Sequence, residues 1–234
     1  MLTYVYGACT GIRHRSLGEC GGDSALAMYV DDTLYFAISD GAGSSSLSHR
    51  VADVITYESV RLMIGGVAVR DVPLFLAPMI REIFSGIDKR ELYATLVIGM
   101  YKRGKLSYIS IGDSVLLWRK GNVWHASEVV KGEFANETVF LLSDGWKEMM
   151  ITGEVSGVDA IFVSSDGLGG AYFFYKMLED RWYVEPSHEY LNKLVEAVNT
   201  GELSFDNVGD LLCSDSLMEF NDDDKSVVIA YVGL

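Results

Sequence analysis

The sequence predicts an α+β fold in which helices cover antiparallel β-sheets. Short apolar segments with turn residues between them follow one another along the middle of the chain, as in an antiparallel meander. Segments with apolar residues at helical spacing fall in separate groups, and such bunching distinguishes α+β folds from alternating α/β folds. The chain has 234 residues, of which 49% are hydrophobic, so it is long enough for one large domain with an extensive core.

Nine segments have the apolar and β-branched composition of strands. In the centre of the chain, turn signals at residues 102–105, 112–114 and 120–122 separate them. The predicted strands are residues 34–39, 95–100, 106–111, 115–118, 122–125, 139–142, 148–151, 160–164 and 227–232.

Four segments have the apolar spacing of helices. The first runs from Leu47 to Leu62 after a serine-rich start, and the second covers residues 74–84 after Pro73. A third contains Leu191 and Val198, with Ser187 as its N-cap and Gly201 just past its end, and a fourth contains Val208, Leu211 and Leu212. We interpret residues 1–234 as a single domain, with a helical block inserted at about residues 168–220.

Charge and cysteine content narrow the class of protein. The net charge of -14, from 19 basic and 33 acidic residues, argues against nucleic acid or an anionic membrane as a partner. The three cysteines, Cys9, Cys20 and Cys213, are odd in number and form no Cys-x-x-Cys pair, which predicts reduced thiols in a cytoplasmic protein. The first residues lack the basic start and long apolar core of a signal peptide.

Three apolar runs end on Ser-Asp-Gly, at Asp40, Asp144 and Asp166. An acid just past a buried strand has a fixed backbone and a free carboxylate, and the glycine lets the main chain approach a ligand closely. Further candidates are Asp23, Asp113 and the run of three acids at residues 222–224. Clustered carboxylates repel unless cations intervene, and Mg²⁺ and Mn²⁺ favour oxygen ligands.

Five segments in order resemble the motifs of the protein phosphatase 2C family of metal-dependent serine/threonine phosphatases. They are GGDSA, FAISDGAG, ATLVIGMYKRGKLSYISIGDSVLLWRKG, IFVSSDGLGG and DDDKSVVIAYV, and together they span nearly the whole chain. The segment GEFANETVFLL is similar to one found in a bacterial and archaeal branch. The resemblance implies a central β-sandwich of two antiparallel sheets flanked by pairs of antiparallel helices, a four-layer αββα arrangement.

The resemblance also implies a site for two divalent cations, Mn²⁺ or Mg²⁺, at one edge of the sandwich. Asp40 would bridge both cations, and the carbonyl of Gly41 would bind one of them. Asp23 would hold one cation, directly or through water, while Asp166 and Asp223 would hold the other. Asp113 matches an acid near a weaker third metal position of the family.

The implied reaction is removal of phosphate from phosphoserine or phosphothreonine proteins by a metal-bridging hydroxide, without a covalent intermediate. The expected partners are therefore a phosphoprotein substrate and its kinase. The family commonly has an arginine or histidine upstream of its first acid to hold the phosphate, and Arg13, His14 and Arg15 occupy that place. His14 alternatively donates a proton to the leaving alkoxide. The chain departs from the family pattern at Gly22, where an acid or amide usually precedes the first aspartate.

Two other functions are compatible with the same motifs. One is a catalytically silent phosphatase-like binding module, although a silent copy has no chemical reason to keep Asp23, Asp40, Asp166 and Asp223. The other is a two-metal phosphatase of small phosphate esters. We expect Asp144 to take no part in any of these functions, because VFLLSDGWKEMMI is typical of a hairpin and matches no family motif.

Overall fold

The structure is a computed structural model that describes residues 2–130, 138–179 and 181–233. Its strands are β1 (Leu2–Cys9), β2 (Asp23–Val30), β3 (Thr33–Asp40), β4 (Leu96–Lys102), β5 (Lys105–Ile111), β6 (Val115–Lys120), β7 (Val123–Ala126), β8 (Ile151–Ser156), β9 (Ala160–Ser164), β10 (Phe173–Leu178), β11 (Arg181–Pro186) and β12 (Lys225–Val232). Its α-helices are α1 (Ile12–Leu17), α2 (Ser48–Ile64), α3 (Val72–Ile83), α4 (His188–Thr200), α5 (Val208–Leu212) and α6 (Asp215–Met218). Short 3-10 helices cover Val69–Asp71, Lys89–Leu92 and Asp166–Leu168.

Two five-stranded antiparallel sheets form the centre of the fold. The first has the strand order β1-β12-β9-β6-β7, and the second has the order β2-β3-β4-β5-β8. Apolar side chains from both sheets form one buried cluster between them, including Phe36 and Ile38 from β3 and Val163 and Val228 from the opposite sheet. The two sheets therefore pack face to face as a sandwich.

Helices cover both outer faces of the sandwich. One cluster joins Val51 and Ile55 of α2 and Leu76 of α3 to the outer face of the second sheet. The other joins Leu191 and Val195 of α4 to the outer face of the first sheet, together with α5 and the β10–β11 hairpin. These layers confirm the predicted α+β fold and its αββα order.

The strands predicted in the central meander are confirmed with small shifts at their ends, whereas the predictions for residues 139–151 are wrong. Residues 139–142 form only an isolated bridge between Leu141 and Ala94, and turns follow them. The next strand, β8, begins at Ile151, where the prediction ended. The SDG sequence at residues 143–145 thus lies in irregular turns rather than at the tip of a hairpin.

The four predicted helices are present, with Ser187 and Gly201 at the two cap positions of α4. The predicted helical block after residue 168 contains α4, α5 and α6, and it begins with the β10–β11 hairpin, which the sequence did not predict. In the described ranges no helix is long and apolar enough to cross a membrane.

The prediction of three reduced thiols is wrong for two of them. Cys9 at the end of β1 forms a disulfide with Cys213, just after α5, with a Cα–Cα distance of 5.6 Å. Cys20 is free and exposed. The two bridged positions are 204 residues apart, and only the packing of α5 against β1 brings them together. Thiol content therefore no longer supports a cytoplasmic location, which stays a prediction.

We expect protein purified without reductant to show one reactive thiol per chain in denaturant, and three after reduction. Denaturant exposes every free thiol but leaves a disulfide intact, so a colorimetric thiol titration counts the difference. Replacing Cys20 by serine should lower the first count to zero. Three thiols before reduction would contradict the pairing of Cys9 with Cys213.

Candidate functional site

The first pair of acids faces each other across two neighbouring strands. β2 begins at Asp23 and β3 ends at Asp40, and the antiparallel register places these two residues directly opposite. Side chains at paired positions of antiparallel strands lie on the same face of the sheet, close together. The two carboxylates therefore share one end of the second sheet.

The other sheet contributes two more acids at the same end. Asp166 follows β9, and Asp223 precedes β12, which pairs with β9 in antiparallel register. Burial raises the pKa of Asp40 most, and the nearby charges of four acids raise it further: Asp23, Asp166, Asp113 and Asp223. Acids from both sheets of the sandwich thus converge on one edge.

The glycines after Asp40 and Asp166 allow neighbouring parts of the protein to approach closely, and their approach to a ligand stays a prediction. A Cβ atom at Gly41 would lie 2.7 Å from the carbonyl oxygen of Ser48 at the start of α2. A Cβ atom at Gly167 would overlap the carbonyl oxygen of Asp224. Any larger residue at either position would move the acid that precedes it.

Burial and mutual repulsion destabilise the charged carboxylates. Burial raises the pKa of Asp23 to about 7, and the nearby charges of Asp224 and Asp166 add to this, while the hydroxyls of Ser165 and Ser226 partly oppose it. Burial is also the largest cause of the raised pKa of Asp40. The Oδ2 atom of Asp23 is buried without a hydrogen-bond partner among the described residues. A cation would relieve both the repulsion and the missing contact.

A hydrogen-bonded pair of hydroxyls joins the Asp40 strand to the turn that carries Asp113. The Thr95 Oγ1 atom accepts a bond from the Asp40 amide at 2.9 Å and lies 2.8 Å from the Ser114 hydroxyl. Asp113 itself is 5% exposed, and its Oδ2 atom accepts a bond from Thr138 at 2.8 Å. Asp113 therefore lies at the same edge as Asp40, and its role near a cation stays a prediction.

Asp224 is a buried acid that connects the two ends of the chain. Its Oδ1 atom accepts a bond from the Gly11 amide at 2.6 Å, and its Oδ2 atom accepts one from the Gly22 amide at 2.5 Å. The Nδ1 atom of His14, on α1, lies 2.8 Å from the same Oδ2 atom. Asp224 thus holds the segment that contains α1 and leads into Asp23.

Lys225 stabilises the loop that contains Asp223. Its side chain is fully buried, and its Nζ atom donates to the carbonyls of Asn221 at 2.6 Å and Asp223 at 2.8 Å. Burial lowers the pKa of this lysine, although the acids around it oppose the shift. The ammonium group therefore binds the loop backbone and is not directed at a carboxylate of the cluster.

The donor set suits a hard divalent cation. It consists of carboxylates and main-chain carbonyls, which are the ligands that Mg²⁺ and Mn²⁺ prefer. As the side chains stand, no group of three or more acids, histidines or cysteines in the described ranges forms a ready coordination shell. The acids influence one another electrostatically without forming such a shell, so side-chain rotations would accompany cation binding.

The sequence profile described as protein phosphatase 2C matches residues 10–204, which is most of the chain. The chain belongs to the protein phosphatase 2C family. No curated protein matches it.

Solved structures, among them two of phosphatases, share the fold of this protein phosphatase 2C domain at low sequence identity. The S. agalactiae serine/threonine phosphatase has a TM-score of 0.71 at 13% identity, with 100% of each chain covered. A point mutant of a bacterial serine phosphatase has a TM-score of 0.69 at 14% identity, covering 100% of this chain and 99% of the other. RsbX in complex with magnesium has a TM-score of 0.64 at 14% identity, covering 99% and 96%.

The three basic residues expected to hold phosphate all lie on α1. His14 is largely buried beside Asp224, with 16% of its side chain exposed, and it lines a cavity of about 240 Å³ with Ser45 and His49. Arg13 and Arg15 are exposed, and neither forms a salt bridge within the described part of the chain. Their guanidinium groups are therefore available to an anion.

Asp144 lies outside the cluster, as expected. Its side chain is 96% exposed and forms a salt bridge of 2.8 Å with Lys89.

Residues 132–137, in the segment that resembles the bacterial branch of the protein phosphatase 2C family, lie outside the described residues.

The departure from the family pattern at Gly22 has a structural reason. A Cβ atom there would lie 3.0 Å from the Gly41 carbonyl, and the Gly22 amide is already bonded to Asp224.

Sequence reasoning included Asp224 only as one of three consecutive acids and missed Lys225 entirely. The sequence feature that could have indicated Lys225 is its position between three consecutive acids and the buried strand β12.

We expect Asp224→Ala to lower the free energy of unfolding by about 2–4 kcal/mol, because it leaves two buried amides and His14 without an acceptor. Chemical denaturation measures this loss. Asp222→Ala is the control, since Asp222 is exposed and should change stability by less than about 0.5 kcal/mol. Equal stabilities of the two variants would contradict the role assigned to Asp224.

Proposed function

We propose that this protein is a metal-dependent phosphomonoester hydrolase that acts on phosphoserine and phosphothreonine in proteins. Membership of the protein phosphatase 2C family supports a phosphatase function. The observation that carries the proposal is the convergence of Asp23, Asp40, Asp166 and Asp223 from both sheets at one edge of the sandwich. A silent binding module would gain nothing from clustered acids that repel one another.

In this proposal the edge holds two divalent cations, Mg²⁺ or Mn²⁺. Asp40 and the Gly41 carbonyl, with Asp23, would form one side of the site, and Asp166 and Asp223 the other; Asp113 would be near a weaker third position. The magnesium complex of RsbX, which has the same fold, supports a hard divalent cation. Such cations supply a water of lowered pKa and neutralise charge on the phosphoryl oxygens when bound.

The reaction needs no side-chain nucleophile. Water oxygen forms the new bond to phosphorus while the bond from phosphorus to the serine or threonine oxygen breaks, and the leaving alkoxide takes up a proton. The only free thiol of the described cysteines, Cys20, is exposed and has no arginine-lined phosphate loop around it. The protein therefore contributes acidic residues that bind the cations. It also contributes basic residues that bind the phosphate.

His14 and Arg13 are the groups that we assign to the phosphate and the leaving group. The Asp224 carboxylate bonds to Nδ1 of His14 and orients the ring, which leaves Nε2 as the atom that can exchange a proton with a ligand. Arg13 precedes it on α1 with an exposed guanidinium group, and Arg15 follows it. A guanidinium group can bind phosphate oxygens in a bidentate manner.

We expect the protein to hydrolyse a phosphothreonine peptide and a small aryl phosphate in Mn²⁺, and to lose both activities in chelator. Asp166→Asn and Asp223→Asn should each lower kcat at least about 100-fold, because each removes a cation ligand. Phosphate release measured at saturating Mn²⁺ tests both variants.

Asp144→Asn is the matched control, since it makes the same change in the same tripeptide at an exposed position and should retain the wild-type rate. Wild-type activity of Asp166→Asn would overturn the assignment of the site. No turnover by folded, Mn²⁺-loaded protein would overturn the enzyme proposal. Hydrolysis of the aryl phosphate alone would instead favour a phosphatase of small esters.

We expect Arg13→Ala to raise KM for the phosphopeptide about tenfold or more, because a charge-assisted contact to phosphate contributes roughly 1.5–3 kcal/mol. Arg103→Ala is the control, since Arg103 lies in the β4–β5 turn at the opposite end of the sheet and pairs with Asp32. Initial rates over a range of peptide concentrations give both values. An unchanged KM would exclude Arg13 from the phosphate site.

A further inference from the structure

The β10–β11 hairpin lies between the Asp166 motif and α4, and its inner face packs on the first sheet. Phe173 is fully buried against Phe162 of β9, with ring centroids 6.5 Å apart. Tyr175, two residues later on the same face, contacts the Phe173 ring edge-on at 5.4 Å and 88°. The aromatic contacts therefore fix where the Tyr175 hydroxyl lies.

That hydroxyl reaches the carboxylate edge. The Oη atom of Tyr175 donates a hydrogen bond to the main-chain carbonyl of Asp113, at a distance of 2.6 Å. Burial raises the pKa of Tyr175 well above its usual range, and the charges of Asp113, Asp166 and Asp40 add to the shift. A tyrosine hydroxyl is protonated at neutral pH, so Tyr175 can donate this hydrogen bond.

The hydrogen bond from Tyr175 is one of several that hold the Asp113 turn in place. Thr138 binds the Asp113 carboxylate, and Ser114 binds Thr95, which accepts from the Asp40 amide. Gly112 begins the turn with a φ of 103°, where a Cβ atom would lie 2.8 Å from the Thr95 side chain. The hydrogen bond from Tyr175 is the contact that joins this turn to the β10–β11 hairpin.

We propose that Tyr175 is a positioning residue that fixes the Asp113 turn and thereby sets the affinity of this edge for its weakest-bound divalent cation. Without the phenolic hydroxyl, the Asp113 carbonyl loses the hydrogen bond from Tyr175, and the turn and its carboxylate sample more orientations. Cation binding must then order them, which lowers the affinity. The inference rests on the proposed function, because it assigns Asp113 to the cation site.

Tyr175→Phe tests the proposal, because it removes the hydroxyl and keeps the ring that packs on Phe173. We expect the dissociation constant of the weakest class of Mn²⁺ sites to rise about fivefold, the equivalent of one lost hydrogen bond. Electron paramagnetic resonance of free Mn²⁺ gives this value without any assay of activity. Tyr183→Phe is the control, since Tyr183 is an exposed tyrosine of the same hairpin and should leave Mn²⁺ binding unchanged.

A double variant separates a positioning role from a general loss of stability. If Tyr175 acts through Asp113, adding Tyr175→Phe to Asp113→Asn should leave the Mn²⁺ binding curve of the single Asp113 variant unchanged. Wild-type Mn²⁺ affinity in Tyr175→Phe, or equal losses in the presence and absence of the Asp113 carboxylate, would overturn this inference alone. A wild-type protein that binds no Mn²⁺ would overturn it together with the proposed function.

Discussion

The buried carboxylate of Asp224 is the contact on which the geometry of the carboxylate edge depends. It binds the amides of Gly11 and Gly22, at either end of the segment that contains α1, and the ring of His14 within that segment. One side chain therefore fixes the position of the helix that carries the proposed phosphate-binding residues and the start of the strand that opens with Asp23. An uncharged residue could not satisfy these three donors together.

The same edge concentrates charge that the fold has to hold in place. Burial and like charges raise the pKa of both Asp23 and Asp40, so the cluster opposes folding when no cation is present. The buried ammonium group of Lys225 donates to main-chain carbonyls and orders the loop. The core between the sheets and the two outer apolar clusters must offset this repulsion.

The sequence predicts those parts of the fold that local patterns determine. Alternation and turn residues locate the central meander, and apolar spacing locates α2, α3 and α4. The prediction of a hairpin around Asp144 was wrong because an Asp-Gly turn between apolar runs does not show whether the runs pair. The strand that follows this turn, β8, pairs with β5 instead. The β10–β11 hairpin was missed because its aromatic strands lie between segments with helical spacing.

Long-range contacts set the rest of the site, and no local pattern encodes them. Asp222, Asp223 and Asp224 are identical neighbours in the sequence, yet only the third is buried. What separates them is that Gly11 and Gly22, more than 200 residues away, direct their amides at Asp224. The Cys9–Cys213 disulfide and the bond from Tyr175 to Asp113 depend in the same way on elements that meet only in the folded chain. A motif therefore identifies the acids that converge, whereas the residues that hold them in place become visible only when the two sheets and their covering elements are assembled.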